Sequence, residues 1–387
     1  MKIIGVICEY NPFHNGHARQ LSLIKASGAV ICLMSGDYVQ RGEPAICDKL
    51  IRAEAAVRSG ADLVLELPVT YSLRSAEGFA EGGVEIFDRL GCVDSLSFGS
   101  ESGNEAVLWN TARLLLSEEF PERLKEKLAL GLSFPAARQA AVEAMCGEGA
   151  ILADPNDILG VEYCKALIKR HSKMKPIVIC RGGSYHDSER KDAPSATVLR
   201  GKSLWEGYMP TQALALQAAA PRHSLKAGER AMLARLRAMS GDEFASLPFG
   251  SEGLWRKLMH ACQRGNSLEE ILSEAKSKRY THSRLMRMVM CAFLGISSEM
   301  LMEPVPYVRV LAMNEMGGKL LRQIRQTSGV ELINIGENLP AKPYSELERR
   351  AQALYGLFSE SETEPPMRGH SVCFCKCEES IDTVKLT

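Results

Sequence analysis

The sequence predicts an α/β fold: a Rossmann-like, mostly parallel sheet in the first half, then a mainly helical C-terminal domain with a small α/β portion. Three observations predict it. Short, near-continuous apolar runs alternate with helical stretches up to about residue 180, the pattern of a parallel sheet covered on both faces. Helical periodicity dominates from 210 to 296. A chain of 387 residues also exceeds one ordinary core, so two domains are expected.

The strand runs fall at 3–8, 29–34, 63–67, 95–98 and 177–180, with helical stretches at 18–26, 49–59, 76–89 and 104–117 between them. Such alternation is the βαβ pattern of a Rossmann-like sheet. After about Trp205 apolar positions recur three and four apart, as in 284–293, and 308–313 and 331–335 read as short strands between helices. The expected division is therefore a sheet domain over 1–205, a mainly helical domain over 206–358 and a flexible tail over 359–387. Acidic residues and prolines at 359–366 mark the end of the fold.

Composition is that of a soluble globular protein, 45% hydrophobic and 24% charged. The longest apolar stretch, 288–296, is about half the roughly 18 to 20 residues of a membrane span. The apolar run 3–8 ends at Glu9, too short for a secretory leader, and reads as a buried strand. Of the 12 cysteines, Cys8, Cys32 and Cys180 sit in apolar runs, where a thiol behaves as a small hydrophobe. With no export signal, reduced thiols and a cytoplasmic location are expected. Cys373, Cys375 and Cys377 lack C-x-x-C spacing and a second ligand pair, so no metal site is expected. Formal charge balances at 47 against 47, which argues against indiscriminate coating of nucleic acid. The stretch 276–325 nevertheless holds nine Lys or Arg against three Glu. One basic region on a neutral protein suits selective docking of a polyanion; a solvated helical face gives the same charge pattern.

The strongest feature is Glu9-Tyr10-Asn11-Pro12-Phe13-His14-Asn15-Gly16-His17, directly after the first strand. Ligands of open α/β sheets sit at the carboxyl ends of strands. Pro12 stops the strand and a helix begins just after it, offering backbone N–H groups and a partial positive charge to a phosphate. His14 and His17, three apart, share a face of the first turn. Gly16 leaves room for a flat base to approach the backbone. Two imidazoles there can donate to non-bridging phosphate oxygens as charge builds in a transition state. Two solvated histidines or a zinc pair are the other readings; helical zinc pairs more often show i, i+4 spacing and need further ligands.

Ser195-Ala196-Thr197-Val198-Leu199-Arg200, after the fifth strand run, reads as a helix start whose hydroxyls and arginine suit the β- and γ-phosphates. No Walker-type loop and no G-x-G-x-x-G occurs. H-x-G-H with a late S-x-T-x-x-R resembles the nucleotidyltransferase superfamily, relatives of the class I aminoacyl-tRNA synthetases. The wider strings Ser35-Gly36-Asp37-Tyr38-Val39-Gln40-Arg41-Gly42-Glu43-Pro44, Phe98-Gly99-Ser100-Glu101, Pro155-Asn156-Asp157 and Tyr185-His186-Asp187 resemble the bacterial tRNA(Met) cytidine acetate ligase family, and the likeness runs to about residue 358.

That resemblance implies a nucleotidyltransferase-like domain using ATP, with Mg²⁺, to turn acetate into acetyl-adenylate. The acetyl group then passes to the wobble cytidine amine of elongator tRNA(Met). It implies ATP contacts at Ile7, Cys8, Glu9, Tyr10, Asn11, Pro12, Phe13, His14, Asn15, Gly16 and His17, and at Gly99, Asn156, Arg181, Ser195, Thr197 and Arg200. Asn156 also reads as a helix cap before Ile158. Gln40 and Arg41, in the loop after the second strand, are placed to hold acetate or the α-phosphate, with Lys49 and Arg52 behind them; an ordinary polar loop is the plain alternative. His14, His17, Gln40, Arg41 and Lys49 are thus the candidate catalytic residues. Lys278, Arg279, Arg284 and Arg287 are the candidate tRNA contacts, although the spacing of the last two among apolar neighbours is expected to set one of them against the core.

His186 reads either as a base for the cytidine amine or as half of a structural His–Asp pair. Glu66 sits in a buried-looking strand beside a base, and Trp255 and Tyr280 read as core aromatics or as stacking platforms for unpaired bases. The sequence specifies no oligomeric state. Two rival functions stand beside the ligase. A cofactor-synthesis nucleotidyltransferase joining AMP or CMP to a phosphorylated metabolite needs little beyond the sheet domain. A tRNA-binding protein without catalysis has no use for His14, His17, Ser195, Thr197 and Arg200 together.

Overall fold

The structure, a computed structural model, describes residues 1–181, 196–277, 280–334, 343–361 and 373–375. Its strands in chain order are β1 (Ile3–Cys8), β2 (Ala29–Ser35), β3 (Tyr38–Val39), β4 (Glu43–Pro44), β5 (Leu63–Leu67), β6 (Ser95–Ser100), β7 (Lys175–Cys180), β8 (Tyr307–Met313), β9 (Glu331–Asn334) and β10 (Cys373–Phe374). All except the β3–β4 hairpin join one sheet in the order β10-β8-β5-β2-β1-β6-β7, with β9 also paired to β8. The five strands expected in the first half are all present and parallel to one another.

Alternation along these strands builds a core on each face. Ile3, Ile7, Ile31, Leu33, Leu63 and Leu65 point to one side, where Val84, Phe87 and Val161 cover them. Ile4, Val6, Val30, Cys32, Met34 and Val64 point to the other, onto α1 (Asn15–Lys25) and α2 (Lys49–Arg58) through Leu21, Ile24, Ala53 and Ala56. Both faces are dry, which is why the runs read as continuously apolar. A third cluster forms the helical body around the helix His282–Leu294, and Tyr38 of the hairpin is buried in it.

The sheet's order fixes where a ligand can lie. The chain moves from β1 outward through β2 and β5, then returns to the far side of β1 as β6 and β7. This is a topological switch point, where open α/β sheets bind ligands outside the strand ends. β1 pairs with β2 along its full length but with β6 at Ile4–Ser95 and Gly5–Leu96, near its start. The carboxyl ends of β1 and β6 are therefore not paired with each other, although β1 stays paired with β2 and β6 with β7, and they part beside the H-x-G-H segment.

Three features depart from the sequence expectation. The late strands form no separate α/β unit: β8 runs antiparallel to β5, from Leu63 opposite Met313, and extends the main sheet. Val308, Val310, Leu311 and Ala312 are fully or almost fully buried, so β8 covers what would be an exposed edge of β5. Beyond the acidic stretch, β10 pairs with β8 through Cys373–Ala312 and Phe374–Met313, so residues 373–375 belong to the fold. The helices Phe120–Ala129, Phe134–Cys146 and Pro155–Lys169 fill the interval before β7, which the strand–helix reading left blank. No helix among the described residues is long and apolar enough to cross a membrane.

Candidate active site

The H-x-G-H segment begins where β1 ends. His14, extended at φ −142° and ψ 174°, is the N-cap of α1. Its Nδ1 accepts the Gly16 N–H at 3.0 Å, while Nδ1 of His17 accepts the His14 N–H at 3.3 Å. The two histidines thus form a reciprocal capping box, satisfying donors a helix start would leave open. Their rings stack, with centroids 3.8 Å apart and planes 25° off parallel. A Cβ on Gly16 would lie 2.8 Å from the His14 ring. The space Gly16 keeps open is therefore filled by His14 itself, where the sequence reading expected a base.

This geometry sets the protonation of both rings. Each Nδ1 accepts a backbone N–H, so the neutral tautomer carries its proton on Nε2. Burial, and secondly the Arg181 guanidinium, lowers the His14 pKa from 6.5 to about 3. His17 is likewise held well below the usual imidazole range, by burial and then by His14 and Arg181. Two neutral Nε2–H donors result. Tyr10 and Phe13 pack on His17 at 4.8 and 5.6 Å between centroids, and Tyr10 holds a left-handed φ of 47°.

The loop between strand and helix is braced from distant parts of the chain. Gln217, fully buried on the helix Thr211–Ala219, accepts from Phe13 N at 2.9 Å and donates to Phe13 O at 3.1 Å. Asn15 binds the carbonyl oxygens of Gly207 and Tyr208 through its side chain and its N–H. Asn11 accepts the Ile46 N–H at 2.7 Å through Oδ1, after a cis bond to Pro12. Arg200 donates to the Asn11 carbonyl at 2.9 Å and to the Thr197 hydroxyl at 3.2 Å. The two motifs, far apart in sequence, therefore meet at one point. Ser195 and His186 lie outside the described residues.

On the β6 side, Gly99 lies beneath the Arg181 side chain, whose Cδ would be 3.2 Å from an added Cβ. Asn156 does not cap its helix: Asp154 is the N-cap, and Asn156 in the first turn donates to Glu101. The Asp157 N–H donates to the other Glu101 oxygen at 2.9 Å. Ile7 and Cys8, at the end of β1, close the row of candidate nucleotide contacts.

The hairpin β3–β4 carries Gln40 and Arg41 at its tip. Gln40 N donates to the Glu9 carboxylate at 2.7 Å, placing that tip beside the end of β1. Burial raises the Glu9 pKa, against the Gln40 hydrogen bond and the charges of Arg200, Arg41 and Arg52. Lys49 sits deeper, 3.1 Å from Asp37 and 2.9 Å from Glu66. Burial pulls its pKa down and the two carboxylates outweigh that, leaving a firmly charged ammonium. Arg52, fully buried, donates to the carbonyls of Glu9, Ser35, Gly36 and Cys47, tying the ends of β1 and β2 together. Sequence reasoning found Lys49 and Arg52 but missed Asp37, Glu101 and Gln217, whose roles follow from long-range contacts with no local pattern.

The expected tRNA contacts divide. Lys278 and Arg279 lie outside the described residues. Arg284 binds the Phe249 carbonyl at 2.9 Å and the Ser251 hydroxyl at 2.8 Å. Arg287 is half-buried and turned toward the hairpin, donating to the Gln40 carbonyl at 3.4 Å. Tyr280 is buried in the helical core, and Trp255 packs against that core beneath Arg256.

Comparison with known proteins places this geometry in context. A family model described as HIGH Nucleotidyl Transferase matches residues 1–368. A tRNA(Met) cytidine acetate ligase of Clostridium acetobutylicum is 37% identical over 93% of this chain and 96% of its own. One from Thermosipho melanesiensis is 35% identical over 92% and 91%. The crystal structure of Thermotoga maritima TmcAL bound with alpha-thio ATP superposes with a TM-score of 0.87 at 30% identity, covering 97% of this chain and all of that one.

Proposed function

Because the chain belongs to the tRNA(Met) cytidine acetate ligase family of HIGH nucleotidyl transferases, we propose that it activates acetate with ATP and acetylates elongator tRNA(Met). The observation that carries the reading is the pair of neutral, stacked imidazoles at the start of α1, with Nε2–H donors at the switch point of the sheet. An ATP analogue in the Thermotoga maritima relative supports a nucleotide there.

A free carboxylate is a poor acylating agent, since its leaving group would be oxide. In the proposed first step an acetate oxygen attacks the α-phosphorus of ATP. The bond to the bridging oxygen of the β-phosphate breaks and pyrophosphate leaves with the electron pair. Charge builds on the α-phosphate oxygens, where His14 and His17 donate without a proton transfer. Arg200 and Thr197, with Ser195, hold the β- and γ-phosphates. Gln40 and Arg41 face the carboxylate, and Lys49 supports their hairpin through Asp37. In the second step the exocyclic nitrogen of the cytidine attacks the acetyl carbon, AMP departs and the amine loses a proton. Residues 206–358, with the basic stretch from Lys276, dock the tRNA. Mg²⁺ arrives with the nucleotide: among the described residues no three metal-ligating side chains converge, and phosphate oxygens are its preferred ligands.

The test is to incubate the protein with ATP, labelled acetate and total tRNA, then digest the RNA. Label in acetylcytidine is expected. A product carrying AMP or CMP on a small phosphorylated metabolite would favour the cofactor-synthesis alternative.

A further inference from the structure

The contact between the β3–β4 hairpin and the helix His282–Leu294 contains a charge that the fold does not explain. Gly42, at φ +81°, brings the hairpin tip against that helix, where an added Cβ would lie 2.5 Å from Arg287 N. The Arg287 guanidinium lies over the Phe249 ring at 5.4 Å and reaches the Gln40 carbonyl through one long hydrogen bond of 3.4 Å. Its Nε is buried without an acceptor, and so is the side-chain amide nitrogen of Gln40. Among the described residues the ionisable groups acting on Arg287 are Arg284, which repels it, and the Cys291 thiol; no carboxylate is among them. Burial and that repulsion bring its pKa down to about 10, so it stays cationic at neutral pH.

A half-buried guanidinium with a buried idle donor and no counter-ion is unfavourable unless a ligand completes it. Every other buried or half-buried cation described around the hairpin is matched: Lys49 by Asp37 and Glu66, Arg309 by Glu66 and Glu348, and Arg52 by four carbonyls. Arg287 stands apart, beside the loop that the proposed function assigns to the carboxylate. A small carboxylate brings one negative charge and two acceptor oxygens.

We propose that Arg287, with the side-chain amide of Gln40, binds the carboxylate substrate, so that the acetate subsite is built jointly by the hairpin and the helical body. Arg287 is then a substrate-binding residue rather than a contact for the tRNA backbone. This deepens the adenylation reading and rests on it.

The test measures acetate-dependent ATP–pyrophosphate exchange and acetyl transfer for Arg287→Met, Arg287→Lys and Gln40→Met. The acetate KM should rise at least about tenfold in Arg287→Met, and less in Arg287→Lys, which keeps the charge but loses the Nε donor. KM values for ATP and tRNA should stay within about twofold. An unchanged acetate KM in the Arg287 variants overturns the proposal, and a rise confined to the tRNA KM assigns the cation to a tRNA phosphate instead. If Arg287→Met fails to fold by circular dichroism, Arg287→Lys and Gln40→Met decide by the same criterion. Broadening of the ¹³C-acetate NMR signal by the full-length protein with a non-hydrolysable ATP analogue reads binding without turnover. Loss of broadening in Arg287→Lys supports the subsite even if exchange is absent in the wild type, a result that would instead refute the adenylation reading. Equal broadening in wild type and both Arg287 variants refutes the subsite alone.

Discussion

At the scale of single residues, the site depends on histidines kept neutral by where they sit. His14 titrates at 6.5 in a solvated reference and at about 3 in the folded chain, so between those values the unfolded state binds more protons. The stability His14 contributes is complete above about pH 6.5 and is lost progressively as pH falls toward 3. His17 acts in the same direction. Glu9, whose pKa is raised, acts in the opposite one, so a difference measurement is needed. Urea midpoints at pH 7.5, 6 and 4.5 should fall with pH more steeply for wild type than for His14→Gln; parallel slopes would show that the ring is not buried in its neutral form. The two histidines were legible because three-residue spacing after a strand is a local pattern. That they cap the helix was not, since histidine is not among the common N-cap residues. Gln217 was invisible for another reason: 204 positions separate it from Phe13, and a lone glutamine in a helix carries no signal.

At the scale of elements, the strands of the first half were legible because burial on both faces leaves continuous apolar runs. α1 begins at Asn15, three residues before the expected start, because the histidine box supplies the cap that apolar periodicity alone could not reveal. The place of β8 beside β5 was not legible, because a pairing such as Leu63 with Met313, far apart in the chain, has no counterpart in local sequence. The short helix Ala196–Arg200 makes a specific prediction. Arg200 fixes the Asn11 carbonyl and, as proposed, the β- and γ-phosphates, which AMP lacks. Arg200→Ala should therefore weaken ATP binding by about tenfold or more while changing AMP affinity much less. Isothermal titration with both nucleotides checks this, and equal losses would confine Arg200 to holding the β1 loop.

At the scale of the whole molecule, the hairpin 38–44 joins the sheet to the helical body. Tyr38 donates to the Ala351 carbonyl at 3.0 Å, and Tyr355 to that of Ala45 at 2.8 Å. Composition announced two kinds of structure but not this shared loop. The basic stretch predicts a separation of the two half-reactions. Neutralising Lys278 and Arg279 together should weaken tRNA binding and reduce its salt slope by about 1.5 units, since phosphate contacts release counterions. Acetate-dependent exchange should persist. Filter binding at several salt concentrations measures the first, and an unchanged slope would place the docking surface elsewhere.

In the proposed reaction the paired imidazoles of α1 stabilise attack of a carboxylate on the α-phosphate, with no need of tRNA. Acetate-dependent ATP–pyrophosphate exchange without tRNA, in wild type and His17→Ala, tests it most directly. Exchange should require acetate in the wild type and fall by about 10²–10³ in the variant, with the fold retained by circular dichroism. Exchange that ignores acetate, or that survives at the wild-type rate in His17→Ala, would contradict it.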